Sequence, residues 1–399
     1  MANKFALLLL IGISVLVSRL AINFSSKTTS GPITFKGEVA SIPTLQKGSL
    51  NFRVGKYLVI SKYQNLDLGD RVEVSGNLSK GKVVADKVEK LPKPWLEERL
   101  FAFRNYLKEA IYRYFPDPQA SLLTGITLGQ NLLPRDFKND LVATGTIHVV
   151  VVSGYNISIV GQFILVLAPY LGRRKTSLLA IATIVCYTFL VGFTAPTLRA
   201  TAMGIITLTG VLLGRKTLAL WALTLSAYLL LIWNPDYLTD ISFQLSFLAT
   251  LGVLLFTTPI SNKLTRLHKF WKETLATTLG AQILVLPLLF YYFGTIALSA
   301  PIVNTLVLWV IPVTTLLGFV FLAVSSITIL GQVLALILLA PLSFFTQIVS
   351  AFASLRFLLL QVEPNNWLVL IGYYLLLSSL IVNFKIKRLA KRNEAKNVA

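Results

Sequence analysis

From His148 onward the chain is written in apolar runs of about 20 residues, separated by short polar or basic breaks. A run of that length, coiled as a helix, matches a hydrocarbon layer about 30 Å thick. The pattern predicts nine spans: His148–Leu171, Thr176–Thr194, Ala195–Leu213, Thr217–Trp233, Ile241–Pro259, Thr274–Phe293, Leu298–Val324, Ile327–Ser350 and Trp367–Phe384. A further apolar segment, Lys4–Phe24, reads as an uncleaved N-terminal anchor and brings the total to ten. Between anchor and spans the period changes. "ITFKGEVASI", "LNFRVG", "YLVISK", "DRVEVSGNLS" and "KVVADKVEKL" alternate every second residue and are broken by turn-forming residues. That is the signature of five short strands, and a small OB-like β-barrel is the common five-stranded solution. After two prolines, Leu96, Leu100, Phe103, Leu107, Ile111 and Tyr114 recur at helical spacing in a charged background. They predict an amphipathic helix lying on the bilayer or capping the spans.

The expected fold is therefore a polytopic α-helical membrane protein with a small extracytoplasmic β-barrel (OB-like) domain. Its parts are an anchor (1–24), the β-domain (25–94), a connecting helix (95–116), a multi-span domain (117–385) and a basic tail (386–399). Charge sets the expected orientation. The chain carries 37 Lys and Arg against 17 Asp and Glu, a net +20. The breaks "GRRK", "GRK" and "NKLTRLHKFWK" and the tail "KIKRLAKR" hold much of the excess, whereas "WNPDYLTD" and "VEPNNW" hold no Lys or Arg. Cytoplasmic loops are basic for topological reasons, so both termini are expected inside and Gly31–Gly145 outside. Basicity on this scale says little about nucleic acid. The break "SSITIL" is uncharged although it is expected inside.

Polar groups inside apolar runs are the candidates for chemistry, because each costs free energy in lipid. In "TGTIHVVVVSGYNISIVGQF", read as one helix from His148, Asn156 falls near about 80° and Ser153 near about 140°. Gly154, Ser158 and Gly161 gather on the other side, suited to close helix packing. A Ser-Gly pair can also break a span, which membranes tolerate only inside protein or along a cavity. Two readings stay open: a polar channel lining, or hydrogen bonds that hold helices together. Pro196 sits in the first turn of a span, where proline is accommodated. Arg199, one turn deeper, is placed either to snorkel outward or to contact phosphate. Asp240 and Gln244 share a helical face, and Gln282, Asn304 and Gln347 are weaker lining candidates. In the β-domain, Lys36, Arg53, Lys56 and Lys62 each adjoin an aromatic residue. Bases and aromatics together suit single-stranded nucleic acid. Strand neighbours point to opposite faces, however, so aromatics filling the core give the same pattern.

Several chemistries drop out. The two histidines lie far apart, so no histidine-based metal site, and no metal or cofactor, is expected. The single cysteine, Cys186, allows no internal disulfide. "GRRKTS" and "GRKT" lack the glycine spacing of a P-loop, so energy for any transport must come from another protein or the membrane potential.

"LLTGITLG", "LPRDFKNDLVATGTIH" with the Ser-Gly that follows, and "GFTAPTLRATAMG" resemble the ComEC family of competence proteins, which conduct transforming DNA across the inner membrane. The resemblance runs over nearly the whole chain. It implies a non-enzymatic, multi-pass channel in the inner (plasma) membrane that imports single-stranded DNA. It also implies membrane lipids and other competence proteins as partners: a DNA receptor, a cytoplasmic ATPase or helicase, and a separate nuclease. On this resemblance the DNA path includes His148, Ser153, Gly154, Asn156, Pro196, Arg199, Asp240 and Gln244. Asn156 departs from the family, which usually has a second histidine there. Many relatives continue into a metallo-β-lactamase-like nuclease domain, and no His-x-His-x-Asp-His run occurs here. Composition alone leaves two alternatives standing, a small-solute transporter and a membrane-embedded transferase acting on lipid-linked sugars.

Overall fold

A computed structural model describes residues 31–39, 44–46, 49–55, 57–62, 66, 70–79, 82–92, 95–150, 154–214, 218–361 and 367–379. The anchor expected at Lys4–Phe24 and the basic tail lie outside these residues. The chain forms two compact units, with the boundary in sequence between Tyr106 and Leu107.

The first unit holds β1 (Gly31–Glu38), β2 (Thr44–Gln46), β3 (Ser49–Val54), β4 (Tyr57–Ser61), β5 (Arg71–Ser79) and β6 (Lys82–Lys90). They form one sheet in the order β1-β5-β6-β4-β3-β2, with β4 and β6 parallel and the other neighbours antiparallel. Five strands were expected and six are present among the described residues. The extra one, β2, is three residues long, too short to show a period. Alternation sorts the side chains as anticipated: Val72 and Val74 of β5 are buried with Phe52, Val54, Val59 and Val83. Beyond β1, Val39 pairs with Val54 in an isolated bridge, and both are buried.

The second unit is helical. Helix α1 (Trp95–Tyr114) spans the boundary in sequence and is followed by α2 (Gln119–Leu128), α3 (Arg135–Ala143), α4 (Ile147–Val150), α5 (Gly154–Leu165) and α6 (Ala168–Leu171). Then come α7 (Arg173–Val191), α8 (Ala195–Leu212), α9 (Ala219–Trp233), α10 (Ile241–Lys263) and α11 (Lys269–Phe293). A short strand β7 (Thr295–Ala297) precedes α12 (Ala300–Val307), α13 (Val310–Val324) and α14 (Thr328–Ala353), and pairs with β8 (Leu359–Gln361). Helix α15 (Trp367–Ser379) closes the described chain. Among the described residues, α7, α8, α10, α11 and α14 are long and apolar enough to cross a membrane, and the α12–α13 pair makes a sixth. The chain is a multi-pass membrane protein.

The described part of His148–Leu171 comprises α4 up to Val150, α5 from Gly154 to Leu165 and α6; residues 151–153 lie outside it. Two other expected spans differ in form. Leu298–Val324 bends by 42° between α12 and α13. Pro312 explains it, because a proline has no N–H for the carbonyl four residues back and its ring clashes there, at Leu308. Helix α9 has 15 residues, short for a crossing.

One element was not anticipated. In α2 every residue from Ala120 to Leu128 is buried, among Ile311, Phe321, Leu338 and Phe345. The chain reaches α2 from one end of α14 and leaves it at the other. The Tyr114 hydroxyl donates to the Ser325 carbonyl at 3.3 Å, and a Cβ on Gly331 would come within 2.9 Å of that hydroxyl. Ser350 donates to the Asp140 carboxylate at 2.7 Å. Gly331 and Ser350 are about 28 Å apart along a helix, close to the hydrocarbon thickness. Gly31–Gly145 thus cannot lie wholly on one side if α14 crosses. The expected topology overlooked this because α2 is too short to register as a span.

Candidate functional site

Arg199 enters from the second turn of α8, after Pro196 has occupied the first turn of that helix. Its Nε donates to Ser246 Oγ at 2.8 Å and its Nη1 to Thr250 Oγ1 at 2.5 Å, both on α10. Met203 Sδ lies 3.8 Å from Nη1, and the Phe247 ring centre is 6.0 Å from the guanidinium carbon. Every one of these partners is neutral. On the remaining side is Gly154, where a Cβ would fall 2.4 Å from Nη2 and 3.0 Å from the Ala200 methyl. Glycine is what lets the start of α5 approach the guanidinium. Gly161, one face along, packs on Ile184 of α7 in the same manner, so the small side of α5 does serve close packing.

Asn156 is fully buried and its amide donates to the Ile126 carbonyl at 3.2 Å. Tyr187 of α7 donates to the same oxygen at 3.1 Å. The last carbonyls of a helix lack partners within it, and α2 ends at Gly129 in the left-handed conformation. Two side chains from two helices thus tie down the end of α2, which is the helix-binding role that competed with the channel reading. Asn156 Oδ1 has no hydrogen-bond partner among the described residues.

The other expected residues are spread out. His148 is exposed, and its Nδ1 sits 3.0 Å from the Gly145 carbonyl, three residues back. Ser153 lies outside the described residues. Asp240 caps α10 by accepting from the Phe243 N–H at 2.7 Å, a local role any helix start can use. Gln244 donates to the Leu238 carbonyl at 2.8 Å and accepts from the Tyr292 hydroxyl at 3.1 Å. It borders an open, almost wholly apolar groove of about 470 Å³ with Phe247, Leu288 and Tyr374. Asn304 is buried, Gln282 half-buried and Gln347 exposed. Of the expected path, the structure joins Gly154 to Arg199 and leaves His148, Asn156, Asp240 and Gln244 with other partners. Ser246, Thr250 and Tyr187 were missed. The sequence did carry a signal for the first two, hydroxyls four residues apart in an apolar run.

In the sheet unit, Lys36 pairs with Glu73 at 3.3 Å, directly across β1 and β5. Lys90 pairs with the nearly buried Asp70 at 2.7 Å. Lys87 bonds to Glu89, and that hydrogen bond raises the Lys87 ammonium above its ordinary pKa and holds Glu89 below its own. Lys62 is exposed. Lys56 and the side chain of Arg53 lie outside the described residues. The described aromatics beside these bases are spent on packing. Phe52 is fully buried, and the Phe35 and Tyr57 rings meet at a tilt with centres 4.9 Å apart while packing on the core. Among the described residues no group of His, Cys, Asp and Glu is placed to hold a metal.

The model for the competence protein family matches residues 126–386, about two thirds of the chain. Over 218 residues the chain is 27% identical to "ComE operon protein 3" of Bacillus subtilis (strain 168), covering 53% of this chain and 26% of that protein. It is 29% identical over 220 residues to an uncharacterized protein of Aquifex aeolicus (strain VF5), covering 53% of this chain and 52% of the relative. The match thus spans between a quarter and a half of these relatives' length. No solved structure matches. The matched region runs from Ile126, whose carbonyl anchors Asn156 and Tyr187, through Gly154 and Arg199 to the last described helix, and on this match the chain belongs to the competence protein family.

Proposed function

We propose that this protein is a conduit for single-stranded DNA across the cytoplasmic membrane in natural transformation. It makes and breaks no bond, and the driving force, the DNA receptor and any nuclease come from other proteins. Family membership supports the process, and Arg199 is the observation that carries the mechanism. A guanidinium in an apolar bundle is costly, and here it is held by two hydroxyls, a thioether and a ring face, with no carboxylate on it among the described residues. A structural arginine is normally balanced by an acid. An unbalanced one suits a ligand that brings its own negative charge, and nucleic acid presents a phosphate at every nucleotide.

We also read the sheet unit as an OB-like barrel on the extracytoplasmic side. Its edge strands, β1 and β2, are consecutive in the chain. The Val39–Val54 bridge draws the end of β1 onto β3, the neighbour of the other edge strand. The parts of the chain carry the roles given to 1–24, 25–94, 95–116, 117–385 and 386–399 above, with the crossing through α2 added.

The bend at α12–α13 favours a second reading, a small-solute transporter with broken helices at its site. Labelled DNA separates the two. Deleting the gene should leave DNA bound at the cell surface and abolish its entry, and Arg199→Gln should strongly reduce entry at unchanged protein level. Normal entry in the deletion strain would refute the conduit.

A further inference from the structure

We propose that Ser246 and Thr250 are positioning residues that hold the Arg199 guanidinium with its Nη2 left without an acceptor among the described residues, ready for a single oxyanion. This deepens the conduit reading and rests on it. The two hydroxyls sit four residues apart on α10, on one face of that helix, and take Nε at 2.8 Å and Nη1 at 2.5 Å. The Thr250 hydroxyl donates its own hydrogen to the Ser246 carbonyl at 3.0 Å. Its lone pairs are therefore left for the guanidinium, and its direction is set by the helix rather than by free rotation. Phe247, between the two in sequence, lies against the cation at 6.0 Å. One turn of α10 thus touches Arg199 through three side chains.

The consequence is a divided guanidinium. Nε and Nη1 are occupied, whereas Nη2 has no acceptor among the described residues and lies over Gly154, where any Cβ would meet it at 2.4 Å. Arginine presents its N–H groups in a rigid planar fork, so fixing two nitrogens fixes the third. A lysine in its place would carry the charge but could not be aimed by two acceptors at once. The ligand class is a phosphodiester oxygen, met one at a time by a fixed donor rather than held by a cluster.

The test compares Thr250→Val, which keeps the shape and removes the acceptor, with Thr250→Ser, which keeps the acceptor. DNA entry in cells should fall about tenfold in Thr250→Val and in Ser246→Ala and stay within about twofold of wild type in Thr250→Ser, in line with loss of a hydrogen bond to a charged group. For the purified full chain in detergent micelles, oligothymidylate affinity should fall in Thr250→Val and be restored by Thr250→Ser. Arg199→Gln should flatten the slope of log affinity against log salt by about 0.7, the loss of one phosphate contact to a single strand. Packing alone would not make the hydroxyl, as distinct from the shape, matter for DNA. If Arg199→Gln strongly reduces entry while Thr250→Val and Ser246→Ala behave as wild type at equal membrane level, the positioning proposal fails and the conduit stands. If Arg199→Gln changes neither entry nor the salt slope, the conduit's reliance on Arg199 fails first. Thr250→Ser falling as far as Thr250→Val would also overturn the proposal, since the acceptor would then not be what matters.

Discussion

Lys36 in the sheet unit faces Glu73 across a strand pair at 3.3 Å. Arg199 in the helical unit faces Ser246, Thr250 and Phe247. The first is a cation in water beside an acid, an arrangement worth little and tolerant of change. The second is a cation among apolar helices with no acid on it among the described residues, an arrangement that costs free energy unless something compensates. The sheet also turns Phe52 into its core and holds Phe35 against Tyr57 on it. The region that looked on sequence like the natural nucleic-acid binder thus pairs Lys36, Lys87 and Lys90 with acids and sets Phe35, Phe52 and Tyr57 on its core. The helical unit, which looked merely greasy, holds the unbalanced charge. The lesson is that a basic residue counts by its partner and its surroundings, and neither is visible in composition.

The largest expected effect breaks or keeps that contrast directly. Arg199→Gln should reduce DNA entry by about tenfold to a hundredfold, as expected for losing charged hydrogen bonds. Lys36→Ala with Lys62→Ala should leave entry within about twofold, because exposed or paired lysines contribute little singly. Uptake of labelled DNA scored in both strains at matched protein level decides it; a collapse in the lysine variant would return nucleic-acid binding to the sheet unit.

The next test asks where water ends and lipid begins. Arg113→Cys and Lys138→Cys, each introduced in a Cys186→Ala background, should react with an impermeant maleimide from opposite sides of the membrane. Tyr114 and Asp140 hold opposite ends of α14. Equal labelling of both in intact cells would place the whole segment outside, as the charge pattern alone suggested.

A smaller effect is expected where the helical unit uses polar groups only to hold itself together. Asn156→Leu and Tyr187→Phe should each lower stability by about 1 kcal/mol, and the pair by less than the sum, since both donate to the Ile126 carbonyl. Thermal unfolding in detergent, with DNA entry as a second readout, sharpens the comparison. If Asn156→Leu is as stable as wild type yet blocks entry, Asn156 belongs with Arg199 and not with the framework. The smallest effect belongs to the sheet unit: Lys87→Ala should leave the unfolding midpoint unchanged, because the Lys87–Glu89 pair is solvated.

Much of this protein is determined along the chain itself. Twenty apolar residues in a row must bury their backbone polar groups as helix in lipid, and strict alternation must put one face of a strand inward. These local rules yielded the membrane class, the long spans, and the strands from Gly31 to Lys90. They also located Gly154 and Arg199 as notable positions. Tertiary structure decided the rest. Whether Asn156 lines a path or ties down α2 depends on which carbonyl lies opposite it, and Ile126 is 30 residues away in sequence. Whether Arg199 is balanced depends on α10, 47 and 51 residues downstream. The burial of α2 depends on α13 and α14 closing around it, since ten residues are too few to mark whether they sit in a core or under a bilayer. Periodicity reports how one element meets its surroundings; the partner of a polar group is a property of two elements, and only their packing brings them together.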